Sequence, residues 1–275
     1  MQVQFKHIDL HHLLKPYIEK MWVFKSDGRL PADDLKLVVP NGNIKLSVFC
    51  SNGIVASMNG KRVVAREQTI NLTGLFDVPL TLDAEKDIFT ETIGIEFNPK
   101  GAYRFFHFNL SEIKNQIYSF KDILGNTAKQ LEEQIAHATS IEKKTVLLQR
   151  FLLRQFSLHN EDLIFEFCIE RIKSSKGKIT VKELERATGY SSRWLNIKFI
   201  EKLGISPKDI CSIIRFSQIY QALTSANGSI LSKNDFYEYY YDQSHFIKNF
   251  KHYTGLSPFL LDHRKNDFGA KFYQA

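Results

Sequence analysis

The chain has 275 residues, 43% hydrophobic and 24% charged, which excludes a largely disordered polymer and leaves length for two ordinary cores. No apolar run reaches the roughly 18 residues of a membrane span, and Met1–Leu10 lacks a secretory leader, so a cytoplasmic protein with no membrane partner is expected. The formal net charge of +7 is uneven: residues 1–170 hold 20 Lys and Arg against 21 Asp and Glu, whereas residues 171–275 hold 17 against 9. A basic C-terminal third suits attraction to phosphate.

In chain order, the first pattern is strand-like. Leu35–Val39, Asn43–Cys50, Gly53–Ser57, Arg62–Arg66, Gln68–Leu72 and Thr90–Phe97 are short, β-prone and separated by turn residues. Asn59-Gly60 suits a two-residue hairpin because both residues accept positive φ, and Pro40-Asn41-Gly42 marks another turn. Strands at this spacing predict a small barrel or sandwich.

From Lys100 onward the pattern is helical. Ser111, Asn126 and Ser140 are candidate N-caps. Ser140–Leu158 places Ile141, Val146, Leu147, Phe151, Leu152 and Phe156 on one stripe, predicting a connecting helix with a boundary near His159-Asn160. An amphipathic helix over Leu163–Lys173 and a polar turn, Ser174–Gly177, follow.

The last hundred residues contain an internal repeat. Leu195, Phe199, Gly204, Ser206 and Pro207 match Phe246, Phe250, Gly255, Ser257 and Pro258, each pair 51 positions apart. Each copy reads as two core residues one helical turn apart, a glycine past the helix end, and a Ser-Pro start for the next helix. Upstream of the first copy, Thr180 with Glu183 forms a capping-box pattern for a helix over Val181–Thr188, and Gly189-Tyr190-Ser191 makes a turn. Helix, glycine-containing turn and second helix is the pattern of helix-turn-helix DNA readers.

On the second helix, Leu195, Phe199 and Leu203 share the inner stripe, leaving Ser192, Arg193, Asn196 and Ile197 as candidate DNA contacts. Arg193 suits guanine and Asn196 adenine; Ile197 suits either a thymine methyl or the core. The second copy offers Gln243, Ser244, His245 and Lys248, with Asn249 beside them. Gln243 suits adenine, and Lys248 suits guanine or phosphate.

Residues 162–266 resemble the DNA-binding region of the AraC/XylS family of bacterial transcription regulators. The motifs are Val181-Lys-Glu-Leu-Glu-Arg-Ala-Thr-Gly-Tyr-Ser in the first unit, and Tyr241-Asp-Gln-Ser-His-Phe-Ile-Lys-Asn-Phe-Lys with Thr254-Gly-Leu-Ser-Pro in the second. The resemblance implies two units joined by a long helix, here Pro207–Ser225, with recognition helices in successive major-groove segments. More faintly, Leu14-Lys-Pro-Tyr-Ile, Met21-Trp-Val-Phe, Val39-Pro-Asn-Gly and Ile93-Gly-Ile-Glu-Phe-Asn-Pro-Lys-Gly resemble the sensor domains that precede this module. The chain departs from the family where a glycine usually precedes the aromatic pair of the second unit: here stands Tyr237-Glu238-Tyr239-Tyr240-Tyr241, and Asp235 falls near a position usually small and apolar. The first unit is therefore expected to supply most of the affinity.

Other constellations point elsewhere or nowhere. His7, His11 and His12 lack a carboxylate or thiol partner for a metal, and Asp33-Asp34 and Glu132-Glu133 read as solvated surface. There is no phosphate loop, nucleophile elbow or His-Glu-x-x-His helix. Methyl-accepting repair enzymes that carry the same double reader need a cysteine cluster, which the separated Cys50, Cys168 and Cys211 do not form. Neither enzyme activity nor a cofactor or metal is expected.

The fold expected is α+β: a strand-rich, barrel-like sensor domain over 1–125, a helical linker over 126–160, and an all-α domain of two helix-turn-helix units over 161–275. The partners expected are double-stranded DNA, a small-molecule effector of unknown identity, a second copy of the chain and RNA polymerase. The competing reading is a protein-interaction module whose degenerate second unit binds DNA weakly or not at all.

Overall fold

A computed structural model describes residues 3–156, 161–224, 240 and 242–272. The expected boundary at His159-Asn160, Ser225, Asp235 and most of the Tyr237–Tyr241 run lie outside the described residues. The architecture is a strand-rich N-terminal region of two sheets followed by helices.

The ten strands are β1 (Val3–Ile8), β2 (Ile18–Ser26), β3 (Leu37–Val38), β4 (Ile44–Ser51), β5 (Ile54–Met58), β6 (Lys61–Ala65), β7 (Ile70–Thr73), β8 (Leu80–Ala84), β9 (Thr90–Phe97) and β10 (Ile117–Ser119). Six form one sheet in the order β1-β2-β9-β4-β7-β10, and four form the other in the order β3-β8-β5-β6. The Asn59-Gly60 hairpin joins β5 to β6, with φ of 50° and 73° at its two residues and Met58 paired to Lys61. Strands β1, β2, β8 and β10 were not expected; β2 is buried along most of its length and so lacks the alternation that marks a half-exposed strand.

The large sheet is covered on both sides. On one face, Ile93, Ile95 and Phe97 of β9 alternate with Thr92, Gly94 and Glu96 on the other. Phe97 packs on Phe105 and Phe106, with ring centroids 5.1 and 5.4 Å away, and from there the aromatic contacts run through Phe120 to Phe151 of the helices. On the opposite face the Trp22 ring lies over Gly94, where a Cβ would come within 2.1 Å of it.

The helices are α1 (Phe120–Leu124), α2 (Asn126–His137), α3 (Ile141–Phe156), α4 (Leu163–Ser174), α5 (Val181–Thr188), α6 (Ser192–Leu203), α7 (Pro207–Thr224), α8 (Gln243–Thr254), α9 (Pro258–Asp262) and α10 (Asp267–Lys271). Ser140 caps α3 as expected, accepting from Lys143 N at 3.3 Å. Ser111 and Asn126 are not caps. Asn109 accepts from Ser111 N in a short 3-10 helix, and Asn126 is already helical behind Gly125. The stripe of α3 is rotated, with Thr145, Leu148, Phe151 and Leu152 inside and Val146 exposed.

Two carboxylates read as surface are structural. Asp34 Oδ2 accepts from Phe268 N at 3.1 Å, and Glu132 accepts from Ile70 N at 2.8 Å while pairing with Lys121 at 3.0 Å. Each satisfies a backbone N–H that packing has removed from water. The three cysteines are buried and free.

The C-terminal segment closes the space between the sheets. Phe268 packs on Phe24 at 5.5 Å, and Phe272 packs on Trp22 at 5.3 Å and on Phe5 at 5.8 Å. Asn266 fixes the approach by accepting from Leu37 N at 2.8 Å and donating to Leu37 O at 2.9 Å. The cavity left between the sheets behind these rings measures about 60 Å³.

At one end of the large sheet, Glu96 is fully buried with Lys45 at 2.9 Å and Lys20 at 3.9 Å. Burial by itself would raise its pKa. Lys45, then Lys20, and hydrogen bonds from Lys45 and Asn41 outweigh that and hold the carboxyl at about 2, against the ordinary 4.5. Because the folded value is depressed, the stabilisation is complete above pH 4.5 and lost as pH falls toward 2. Glu96→Gln is expected to flatten the acid limb of stability against pH in that window, read by urea unfolding at a series of pH values. Phe268→Ala is expected to cost about 3 kcal/mol, as for other buried aromatic truncations, in the same urea assay at neutral pH.

Candidate nucleic-acid interface

The first unit is α5 and α6. Thr180 and Glu183 form the full capping box: Glu183 N donates to Thr180 Oγ1 at 3.3 Å, and Thr180 N donates to Glu183 Oε2 at 2.7 Å. Gly189 ends α5 in the left-handed region at φ 76°, and Ser191 caps α6 by accepting from Trp194 N. Glu185 reaches across the turn to accept from Ser192 N, and Tyr190 stacks on Trp194 at 4.0 Å. These contacts set the angle between the two helices without using the outer face of α6.

Leu195, Phe199 and Leu203 of α6 are buried against α4, where the rings of Phe165 and Phe199 lie 5.0 Å apart. The C-terminal end of α6 rests on the strand-rich region. A Cβ at Gly204, whose φ is 90°, would meet Leu110 O at 2.9 Å. Lys198 and Lys202 turn inward to Asp162, the N-cap of α4, at 3.2 and 3.5 Å. Burial opposes ionisation of Asp162, yet the hydrogen bond from Phe165 N, with Lys198 and then Lys202, holds its carboxyl below the ordinary value. Ser192, Arg193 and Ile197 are exposed and Asn196 is half-buried, so the outward positions gather in the N-terminal half of α6.

The second unit repeats this plan on α8. Asp242 caps it by accepting from His245 N at 2.8 Å. Phe246, Phe250 and Tyr253 face inward, and Phe216 of α7 meets Phe250 at 5.6 Å and Tyr253 at 4.8 Å. Gly255 ends the helix at φ 74°, and Ser257 with Pro258 starts the next. Gln243, Ser244, His245 and Lys248 are exposed; Asn249 is half-buried and donates to Ser212 Oγ of α7 at 3.3 Å. Where the first copy runs into the 18 residues of α7, the second runs into the five of α9. The helix expected ahead of α8 falls outside the described residues.

Between the units, α7 is buried along most of its length through Ile210, Ile213, Phe216, Ile219 and Tyr220. It packs on the Pro40-Asn41-Gly42 turn, where Gly42 has φ 84° and a Cβ would lie 2.9 Å from Ile210 Cδ1. The strand-rich region thus touches α6 at its C-terminal end and α7 in its N-terminal half. Further ties are Arg104 to Glu166 at 3.3 Å and to Glu161 at 3.2 Å, and Lys100 to Glu170 at 2.6 Å. Among the described residues no group of three or more His, Cys, Asp or Glu is placed to hold a metal, and no helix is long and apolar enough to cross a membrane.

The sequence reading missed a polar pocket beside this junction, lined by Lys20, Asn41, Asn43, Glu96, Ser217 and Gln218 among others. One signal was present: Glu96 interrupts the apolar run of Ile93–Phe97, where a charge needs buried partners.

Residues 7–119 match a family model described as a domain of unknown function, DUF6597. No curated protein matches the chain. Among solved structures, ToxT from Vibrio cholerae is similar over 88% of this chain and 98% of its own, at 14% identity and a TM-score of 0.47. Unsaturated-fatty-acid-bound wild-type ToxT from Vibrio cholerae strain SCE256 is similar over 89% and 96%, at 12% identity and a TM-score of 0.46. The cupin domain of Cnp3 from Schizosaccharomyces pombe is similar over 36% of this chain and 66% of its own, at 9% identity and a TM-score of 0.28.

Thr180→Ala removes one half of the capping box and is expected to cost about 1 kcal/mol of stability in urea unfolding.

Proposed function

We infer that the chain is a non-enzymatic, sequence-specific DNA-binding transcription regulator of the AraC/XylS type, reading duplex DNA with α6 and α8. The observation that carries the reading is the duplicated unit: two helices of 12 residues, each ended by a left-handed glycine and each presenting polar or cationic side chains on its exposed N-terminal half. An N-terminal half held outward by an inner aliphatic or aromatic stripe is the part of a recognition helix that meets base edges.

In this reading Arg193 pairs with guanine, Asn196 and Gln243 with adenine, and Ile197, 56% exposed, touches a thymine methyl. Ser192, Ser244 and His245 supply adaptable polar contacts, and Lys248 takes guanine or phosphate. Residues 161–275 form the reader, 126–160 the linker, and 1–125 the region that senses a small molecule or associates with a second copy. The exposed Val146 of α3 marks one apolar position for self-association. RNA polymerase would be met by surfaces away from the duplex.

Selection of bound sequences from a random duplex pool tests the reading. A regulator yields a consensus with two contacted segments about one helical turn, roughly 34 Å, apart. Retention without sequence preference above the salt-dependent background would instead favour a protein-interaction module. On the selected site, Arg193→Ala is expected to weaken binding by about 1–3 kcal/mol and relax one base position. Lys248→Ala should weaken it less, measured by fluorescence anisotropy at fixed salt. Equal losses would overturn the ranking of the two units.

A further inference from the structure

The pocket between the large sheet and α7 measures about 320 Å³, which lies in the range of small-molecule sites. The 60 Å³ between the sheets does not. A larger groove between α2 and α3, about 860 Å³, is open and lined mainly by exposed Gln, Glu, Lys and Arg side chains. Only the first of these three holds a buried, unevenly satisfied ionic group.

That group is Glu96. Its Oε2 accepts from Asn41 Nδ2 at 2.9 Å and Asn43 Nδ2 at 3.1 Å and pairs with Lys45 at 2.9 Å. Its Oε1 accepts no hydrogen bond among the described residues, although it is removed from solvent. Lys20 stands over it at 3.9 Å, too far for a hydrogen bond, and donates instead to Phe272 O at 2.6 Å. One carboxylate therefore faces two ammonium groups. Glu19 also acts on Lys20, but it is shared with Lys173, 3.4 Å away, so among the described residues at the pocket three ammonium groups face two carboxylates. The cluster calls for one more negative charge beside Lys20 and one donor for Oε1. An ordinary structural ion pair would leave neither demand.

We propose that this pocket binds a small carboxylic acid with a hydroxyl or ammonium group on the adjacent carbon, an α-hydroxy or α-amino acid. Its carboxylate takes Lys20, and its neighbouring donor reaches Glu96 Oε1 as Lys20 turns outward. Asn41, Asn43, Ser217 and Gln218 supply the remaining polar wall. Occupancy exchanges the Lys20 bond to Phe272 O for one to the ligand, and so loosens the end of the segment that packs Phe268 and Phe272 against the sheets. The site deepens the regulator reading, on which its role as effector site rests.

The test is isothermal titration of the full chain with four probes. Lactate carries carboxylate and hydroxyl, alanine carries carboxylate and ammonium, acetate lacks the donor, and propanol lacks the carboxylate. Lactate or alanine is expected to bind saturably and at least about tenfold more tightly than acetate or propanol, the worth of one charge-assisted hydrogen bond. Which of the two binds decides between the hydroxy and amino classes. Lys20→Met is expected to weaken binding by at least about tenfold. Gln218→Trp, which fills the pocket from α7 without touching the buried charges, should abolish it; that variant serves if Lys20→Met does not fold. Lactate and alanine binding no better than acetate, or affinities unchanged in both variants, would overturn the site. Retention of ligand-free protein on its selected duplex is measured separately. Acid binding without DNA retention keeps the site and sinks the regulator reading, and the reverse pattern sinks only the site.

Discussion

Everything in this molecule depends on one continuous apolar core that runs from the large sheet into the helices. Phe268 and Phe272 from the C-terminal end, and Ile210 and Ile213 from α7, pack on the strand-rich region beside that region's own residues. Domains within one chain commonly meet through modest, rather polar interfaces and move relative to one another. Here apolar contacts and the paired bonds of Asn266 to Leu37 tie the ends together. The strand-rich region therefore positions α6 and α7 as well as standing beside them.

That positioning accounts for the distribution of charge on the helical region. Lys198 and Lys202, on the C-terminal half of α6, are drawn to Asp162, and Lys202 also lies 4.6 Å from the Tyr103 ring centre. Arg104 is tied to Glu161 and Glu166 on the other side of the same junction. Lys198, Lys202 and Arg104 are thus consumed by structure, while Arg193 and Lys248 lie in the exposed N-terminal parts of α6 and α8. Net charge alone could not separate these two populations, because an ion pair depends on which residues packing brings within 4 Å.

The junction also explains why Glu96 and Lys20 matter. A buried carboxylate near the end of β9 costs desolvation unless cations and donors surround it. Strands β2 and β4 flank β9 and place Lys20 and Lys45 beside Glu96 in register. The Pro40-Asn41-Gly42 turn then brings two amide side chains to the same oxygen, on the side where α7 docks.

Local rules made much of this legible from the residues themselves. The capping box at Thr180, the left-handed glycines at 189, 204 and 255, the Ser-Pro helix starts and the Asn59-Gly60 hairpin each follow from one or two residues whose backbone preferences hold in any context. The same periodicity picked out the inner stripe of α6 and the outward residues. It could not identify β2 and β8, rotate the stripe of α3 correctly, or show that Asp34 and Glu132 are buried, since those features are decided by what another part of the chain places opposite them. The sequence alone determined the ends of α5, α6 and α8, the Asn59-Gly60 turn and the repeat, because their causes lie within a few bonds. Tertiary structure alone decided which charges are spent in pairs, where Phe268 and Phe272 seat, and that a polar pocket lies between Glu96 and α7, because those depend on residues far apart in the chain coming to share one low-dielectric space.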